Sequence, residues 1–225
     1  MASTSALPPP PSFKQQRSAR TYDALLAAAA RVFAERGFDG AQTPDIAAAA
    51  GVSTGALYRY FKDKRHLFIE MLRHHLAHAR AEVAARLDPA RFVGADACVA
   101  MDTVIDVLVD LARQNAALTR VYTAASLTDP DVARLRATTE SQDRARLAQT
   151  IAALVPPGVI PNPEAAALVI QIAAIEIAVE RAGIRPHAGP KVSDRDVKLA
   201  LREMFHRYLL PAEAESGRPG RAHKK

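Results

Sequence analysis

The 225-residue sequence predicts an all-α protein, on three observations. Alanine, the best helix former, supplies much of an apolar content of 49%. Glycine is scarce, at 10 residues, and no segment alternates apolar and polar residues as a half-buried strand does. Apolar residues instead recur at three- and four-residue spacing along most of the chain. A sandwich or barrel, which needs β-branched runs and glycine-rich turns, does not fit. The single cysteine, Cys98, excludes an internal disulfide framework and a thiolate zinc cage. The first residues lack the charged and apolar regions of a signal peptide, and no apolar run reaches about 18 residues. A soluble, cytoplasmic protein is expected.

The elements follow in order. Residues 1–18, with four consecutive prolines and then Lys14 and Arg17, read as a disordered or extended arm. Leu25, Ala29, Val32 and Phe33 form the stripe of a first helix over about 21–36, and Gly37 stops it. Thr43 caps a short second helix, Pro44 and Asp45 suit its first turn, and Gly51 ends it. Ser53 caps a short third helix through Tyr60. Asp63 caps a long fourth, reaching Leu87, with Phe68, Met71, Leu72, Leu76, Ala79 and Val83 on its buried side. Cys98, Met101, Ile105, Leu108, Val109 and Ala112 share one face of a fifth. A sixth spans about 118–126, and a seventh runs from Asp129-Pro130 to about Leu154. The eighth, over 164–182, is apolar nearly all round. The ninth opens at Ser193 with a stripe of Val197, Leu201, Met204, Phe205 and Tyr208, and Pro211 stops it.

Charge points to the head of the chain. Residues 1–65 hold nine Lys/Arg against five Asp/Glu, residues 66–210 hold seventeen of each, and residues 211–225 hold four against two. A basic head on a neutral body suggests a polyanionic partner. Within that head, two short capped helices joined by Gly51-Val52 make a helix-turn-helix, whose second helix is where base edges would be read. Thr43 and Ser53 mark helix N-termini whose free N–H groups phosphates can approach. Gly55 and Ala56 let the third helix come close to groove walls. Tyr58, Tyr60 and Lys64 bring two hydroxyls and a charge to the rim, groups that commonly bond phosphate. Ile46, Ala47, Ala50, Val52, Leu57 and Phe61 read as core.

Thr43, Ile46-Ala47, Ala50-Gly51-Val52-Ser53, Gly55, Tyr58, Tyr60-Phe61, Lys64 and Leu67, preceded by Phe33-Ala34-Glu35-Arg36-Gly37-Phe38, resemble the signature of the tetracycline-repressor (TetR) family. The resemblance covers about residues 20–70; residues 80–210 match only in helix number and length. It implies a homodimeric transcription regulator, with an N-terminal three-helix DNA-binding domain and a C-terminal helical domain for ligand binding and dimerisation. Most members are repressors released from DNA by a ligand, and the fourth helix would carry the change. A regulator without a small-molecule effector, or an activator, is the alternative. The implied organisation is an arm over 1–18, a helix-turn-helix domain over 19–79, an effector and dimerisation domain over 80–210 and a basic tail over 211–225.

Position by position, the resemblance implies phosphate contacts at Thr43, Tyr58, Tyr60 and Lys64. It implies base-edge contacts around Ser53, Thr54, Gly55, Ala56 and Arg59, with Arg59 the candidate for a guanine. Tyr60 replaces the histidine common at its position, and Pro44 stands where the family often has a base-reading side chain. Arg17 and Arg20 precede the first helix as in arms that enter a minor groove, with a solvated tail as the alternative. The expected partners are a palindromic double-stranded operator, a second copy of the chain through the eighth and ninth helices, and a small hydrophobic effector. No cofactor and no membrane partner is expected.

For the effector, Cys98, Met101, Ile105 and Tyr122 are candidate cavity residues, with core packing as the alternative. Gln171 and Glu176 are strong polar groups in an otherwise apolar helix, so each needs a partner: the dimer mate, an arginine or a ligand. Two apolar stripes on that helix, Ile170/Ala173/Ile177 and Leu168/Ile172/Ile175/Val179, suit its own core and a partner's. His74, His78 and Glu70 have helical metal-ligand spacing, yet the histidines read as a solvated flank, with His75 turned to the apolar stripe and no metal expected. Asp102, Asp106 and Asp110, with Arg113 close by, read as a solvated acidic face with local ion pairs. There is no nucleophile–base pair or phosphate loop, so no enzyme is expected.

Overall fold

The computed structural model describes residues 16–86, 99, 102–107, 110, 116–154, 159–181 and 192–209. Among these, every regular element is helical: α1 (Gln16–Gly40), α2 (Thr43–Ala49), α3 (Thr54–Tyr58), α4 (Lys64–Arg86), α5 (102–107), α6 (Ala116–Thr128), α7 (Pro130–Leu154), α8 (Pro163–Arg181) and α9 (Asp194–Leu209). None of the helices is long and apolar enough to cross a membrane. The expectations for Cys98, Met101, Leu108, Val109, Ala112 and both chain ends lie outside the described residues.

α1 starts earlier than its apolar stripe suggests, at Gln16, so Arg17 and Arg20 stand on a helix and not on an extended arm. Its regular part ends where expected. Gly37 takes φ 71°, a left-handed conformation that a side chain disfavours, and the helix breaks there.

The chain divides into two compact units. The first combines residues 1–82 with 115–139. Its core is built from Leu25, Leu26, Phe33, Ile46, Leu57, Phe61, Leu67, Phe68, Met71 and Leu72, and Leu118, Val121 and Val132 of α6 and α7 join it. Phe33 meets Phe68 edge-on at 4.9 Å, and Tyr22 stacks on Phe61 at 5.2 Å. Asp129 caps α7 by accepting from the Asp131 and Val132 N–H groups at 2.8 and 3.3 Å.

The second unit combines residues 83–114 with 140–225. Val104, Ile105, Ala148, Ile151, Ala166, Ala167, Ile170 and Phe205 form its core. The acidic row of α5 is not simply solvated. Lys198 bridges Asp106 and Asp110, each at 3.0 Å, and Arg202 bridges Asp102 and Asp106 at 3.3 and 2.9 Å. His206 Nε2 lies 3.2 Å from Asp102 Oδ1 at the end of this ladder. The α9 stripe splits: Phe205 turns inward with Leu201 packed beside it, while Met204 and Tyr208 face out. Leu168, Val169 and Ile172 of α8 and Leu199 of α9 are also exposed.

Candidate nucleic-acid interface

The turn between α2 and α3 is set by local hydrogen bonds. Gly51 has φ 70°, its N–H donates to the Ala48 carbonyl at 3.0 Å, and the Val52 N–H donates to Ala47 at 3.0 Å. This pair of bonds is a Schellman ending, which uses the last carbonyls of α2 and turns the chain sharply. Ser53 then caps α3, its Oγ accepting from the Ala56 N–H at 3.2 Å. Thr43 does not cap α2 as expected. The N-cap residue is Gln42, without a side-chain cap, and Thr43 lies inside the first turn.

The Thr43 hydroxyl instead meets the Tyr58 hydroxyl at 2.9 Å, tying the start of α2 to the end of α3. Such a pair keeps one O–H free to donate, since only one of the two protons is used between them. Leu57 is fully buried and is the anchor of α3, whereas Gly55, Tyr58, Arg59 and Lys62 are exposed. Gly55, Tyr58 and the C-cap residue Arg59 share one face of α3, opposite Leu57, and Lys62 follows in the link to α4. A Cβ added at Gly55 would meet no atom within 4 Å, so the space over this face is open. Thr54 and Ala56 are half-buried beside it.

Tyr60 is held from α1: its hydroxyl lies 3.1 Å from Ser18 Oγ, and its ring packs on Tyr22 at 6.2 Å. Tyr22 in turn donates to Glu70 Oε2 at 3.1 Å, and Arg73 donates to Glu70 Oε1 at 2.8 Å. Glu70 is therefore a buried, paired carboxylate rather than a metal ligand, and no group of three metal-binding side chains occurs among the described residues. Burial, with the Glu70 charge beside it, pushes the Tyr22 hydroxyl well above the usual phenol range.

Lys64 departs from the expected rim position. Its ammonium donates to the carbonyls of Phe38 and Ala41 at 3.0 and 3.1 Å and to Asp39 at 3.4 Å, and sits 4.7 Å from the Phe38 ring centre. All three of its donors serve the end of α1. Its neighbour Arg65, which sequence reasoning missed, forms a fork on Asp129 and reaches Asp131. Nothing in the sequence marks partners 64 and 66 positions away.

The proposed effector residues among those described fall in both units. Tyr122 packs against the core of the first unit, and Ile105 lies in the core of the second. Gln171 Nε2 donates to the Glu140 carbonyl at 2.6 Å, and Glu176 is exposed.

Residues 25–71 match the family described as bacterial regulatory proteins, tetR family. Over this segment the chain is of tetR-family type. The match holds α2, the Gly51 turn, α3 and the start of α4, so the open face of α3 belongs to it. The chain is 37% identical over 76 residues to the HTH-type transcriptional repressor NicS of Pseudomonas putida, a stretch that is 33% of this chain and 36% of NicS. The chain thus spans about a third of the length of this curated relative.

Beyond the tetR segment, the likeness is one of fold. A transcriptional regulator from Rhodococcus sp. Rha1 superposes with a TM-score of 0.65 at 24% identity, over 84% of this chain and 95% of that one. AibR, solved in complex with isovaleryl coenzyme A and operator DNA, superposes with a TM-score of 0.57 at 15% identity, over 82% and 97%. Over the superposed part, the chain shares the helical fold of these structures.

Proposed function

We propose that the protein is a sequence-specific DNA-binding transcriptional regulator, a repressor released from its operator by a small-molecule effector. The open face of α3, inside the matched tetR segment, is the observation that carries this reading. On it, Gly55 allows the backbone to approach a groove wall, and Ser53, Thr54 and Ala56 lie beside it. Arg59, exposed and with no side-chain hydrogen bond or ion pair among the described residues, reads a base edge, a guanine being its natural bidentate partner. Tyr58 and Tyr60 bring hydroxyls to flanking phosphates, and Arg17 and Arg20 add charge from α1. Lys64 supports this surface by closing the end of α1. DNA is read within 19–79, and the effector and dimer functions lie within 80–210, of which residues 115–139 pack with the N-terminal helices.

A second copy of the chain pairs through α8 and α9. Exposed Leu168, Val169, Ile172, Leu199, Met204 and Tyr208 support this, since they leave apolar side chains of one unit facing water. Effector control has support in AibR, whose crystal holds both an acyl coenzyme A and operator DNA.

Selection from a randomised duplex pool, followed by fluorescence anisotropy, tests the reading. A recovered, near-palindromic duplex should bind at least about a thousandfold tighter than its scrambled counterpart, with a steep salt dependence. Equal affinity for both duplexes would contradict it.

A further inference from the structure

α3 has only five residues, too few to hold a position by itself. Its placement therefore depends on what fixes the chain on either side. On the far side, the link from Arg59 to Asp63 ends in a densely bonded joint. Asp63 Oδ1 accepts from the His66 N–H at 2.7 Å, and Lys64 bonds the end of α1. Arg65 Nε and Nη2 donate to Asp129 Oδ2 and Oδ1 at 2.6 and 2.7 Å, and Nη2 also donates to Asp131 Oδ2 at 2.6 Å.

We propose that Arg65 is a positioning residue for DNA reading: its clamp on Asp129 and Asp131 fixes where α4 begins, and so where the short link before it sets α3. This rests on the proposed DNA-binding function. A single exposed ion pair would do little. Here the guanidinium engages two carboxylates, one of them in fork geometry, and each partner is only about one-fifth exposed (21% and 18%). Asp129 is also the cap of α7, so the fork joins α4 to the fixed end of another helix. The hydrogen bonds from Arg65 hold both carboxyls below their usual range, so the clamp is present at neutral pH.

Charge makes the proposal separable from a simple electrostatic one. Asp131→Asn removes a negative charge, and bulk electrostatics alone would then tighten DNA binding. Weakening of the clamp, which loses one of its two carboxylates while the Asp129 fork stays, predicts the opposite. Asp131→Asn and Arg65→Lys should each bind a duplex selected by the wild type about tenfold more weakly. Their affinity for a scrambled duplex should not fall, and amide exchange over residues 60–66 should quicken in the DNA-free protein. Asp131 also pairs with Arg134, so Arg134→Lys, which spares the clamp and keeps the net charge, is the control and should behave as wild type. Circular dichroism establishes that each variant is folded at the temperature used. Unchanged or tighter binding of the selected duplex by Asp131→Asn overturns the role of Arg65, as does unchanged exchange over 60–66. A wild type that prefers no duplex overturns the functional reading itself, a result distinct from either of these.

Discussion

Two glycines four residues apart show how differently single positions can work. Gly51 is required by the backbone: at φ 70° an alanine would be strained although its Cβ would touch nothing. Gly51→Ala should cost about 1–2 kcal/mol, read as a lower denaturant midpoint with an unchanged slope. Gly55 has ordinary φ and open space, so a side chain there should leave the free protein intact. Gly51 was legible in the sequence because a helix end followed by a cap is a local pattern. The tasks of Thr43, Lys64 and Arg65 were not, because their partners are 15 to 66 positions away and are fixed only once the core has formed.

At the scale of elements, the helices and most of their ends were readable from stripes, caps and glycine stops. The faces were less so. Periodicity shows that α9 has apolar residues at helical spacing, but it cannot say which of them meet the protein's own core. Phe205 does, and Met204 and Tyr208 do not. Likewise the acidic row of α5 looked solvated because its basic partners lie on α9, about 90 positions later. On α4, burial lowers the pKa of His75 below its ordinary value, with His78 and His74 adding to the shift. The unfolded chain then takes up a proton before the folded one does. This contribution to stability is complete above about pH 6.5 and is lost as pH falls through the folded value. Urea unfolding at about pH 7.5 and about pH 5.5 should show a drop at the lower pH, and His75→Gln should reduce that drop.

At the scale of the whole molecule, the two compact units carry different parts of the account. The boundary between them was not legible, because residues 115–139 pack with the N-terminal helices although they follow the fifth helix in sequence. The second unit's exposed apolar residues give the dimer reading a direct test. Ile172 is 53% exposed, so Ile172→Asp should leave the fold intact. Sedimentation equilibrium should then give the mass of one 24.2 kDa chain, against twice that for the wild type. DNA binding should weaken with it, since two linked half-site contacts become one.

DNA reading by the open face of α3 is what the other functions depend on. Fluorescence anisotropy of a selected duplex, titrated with wild type and Gly55→Leu, tests it most directly. The account predicts that Gly55→Leu keeps the wild-type thermal midpoint or exceeds it, because glycine is a poor helix former. It also predicts that this variant loses at least about a hundredfold in affinity, since its side chain fills the space a groove wall needs. Wild-type affinity in a folded Gly55→Leu protein would contradict the account.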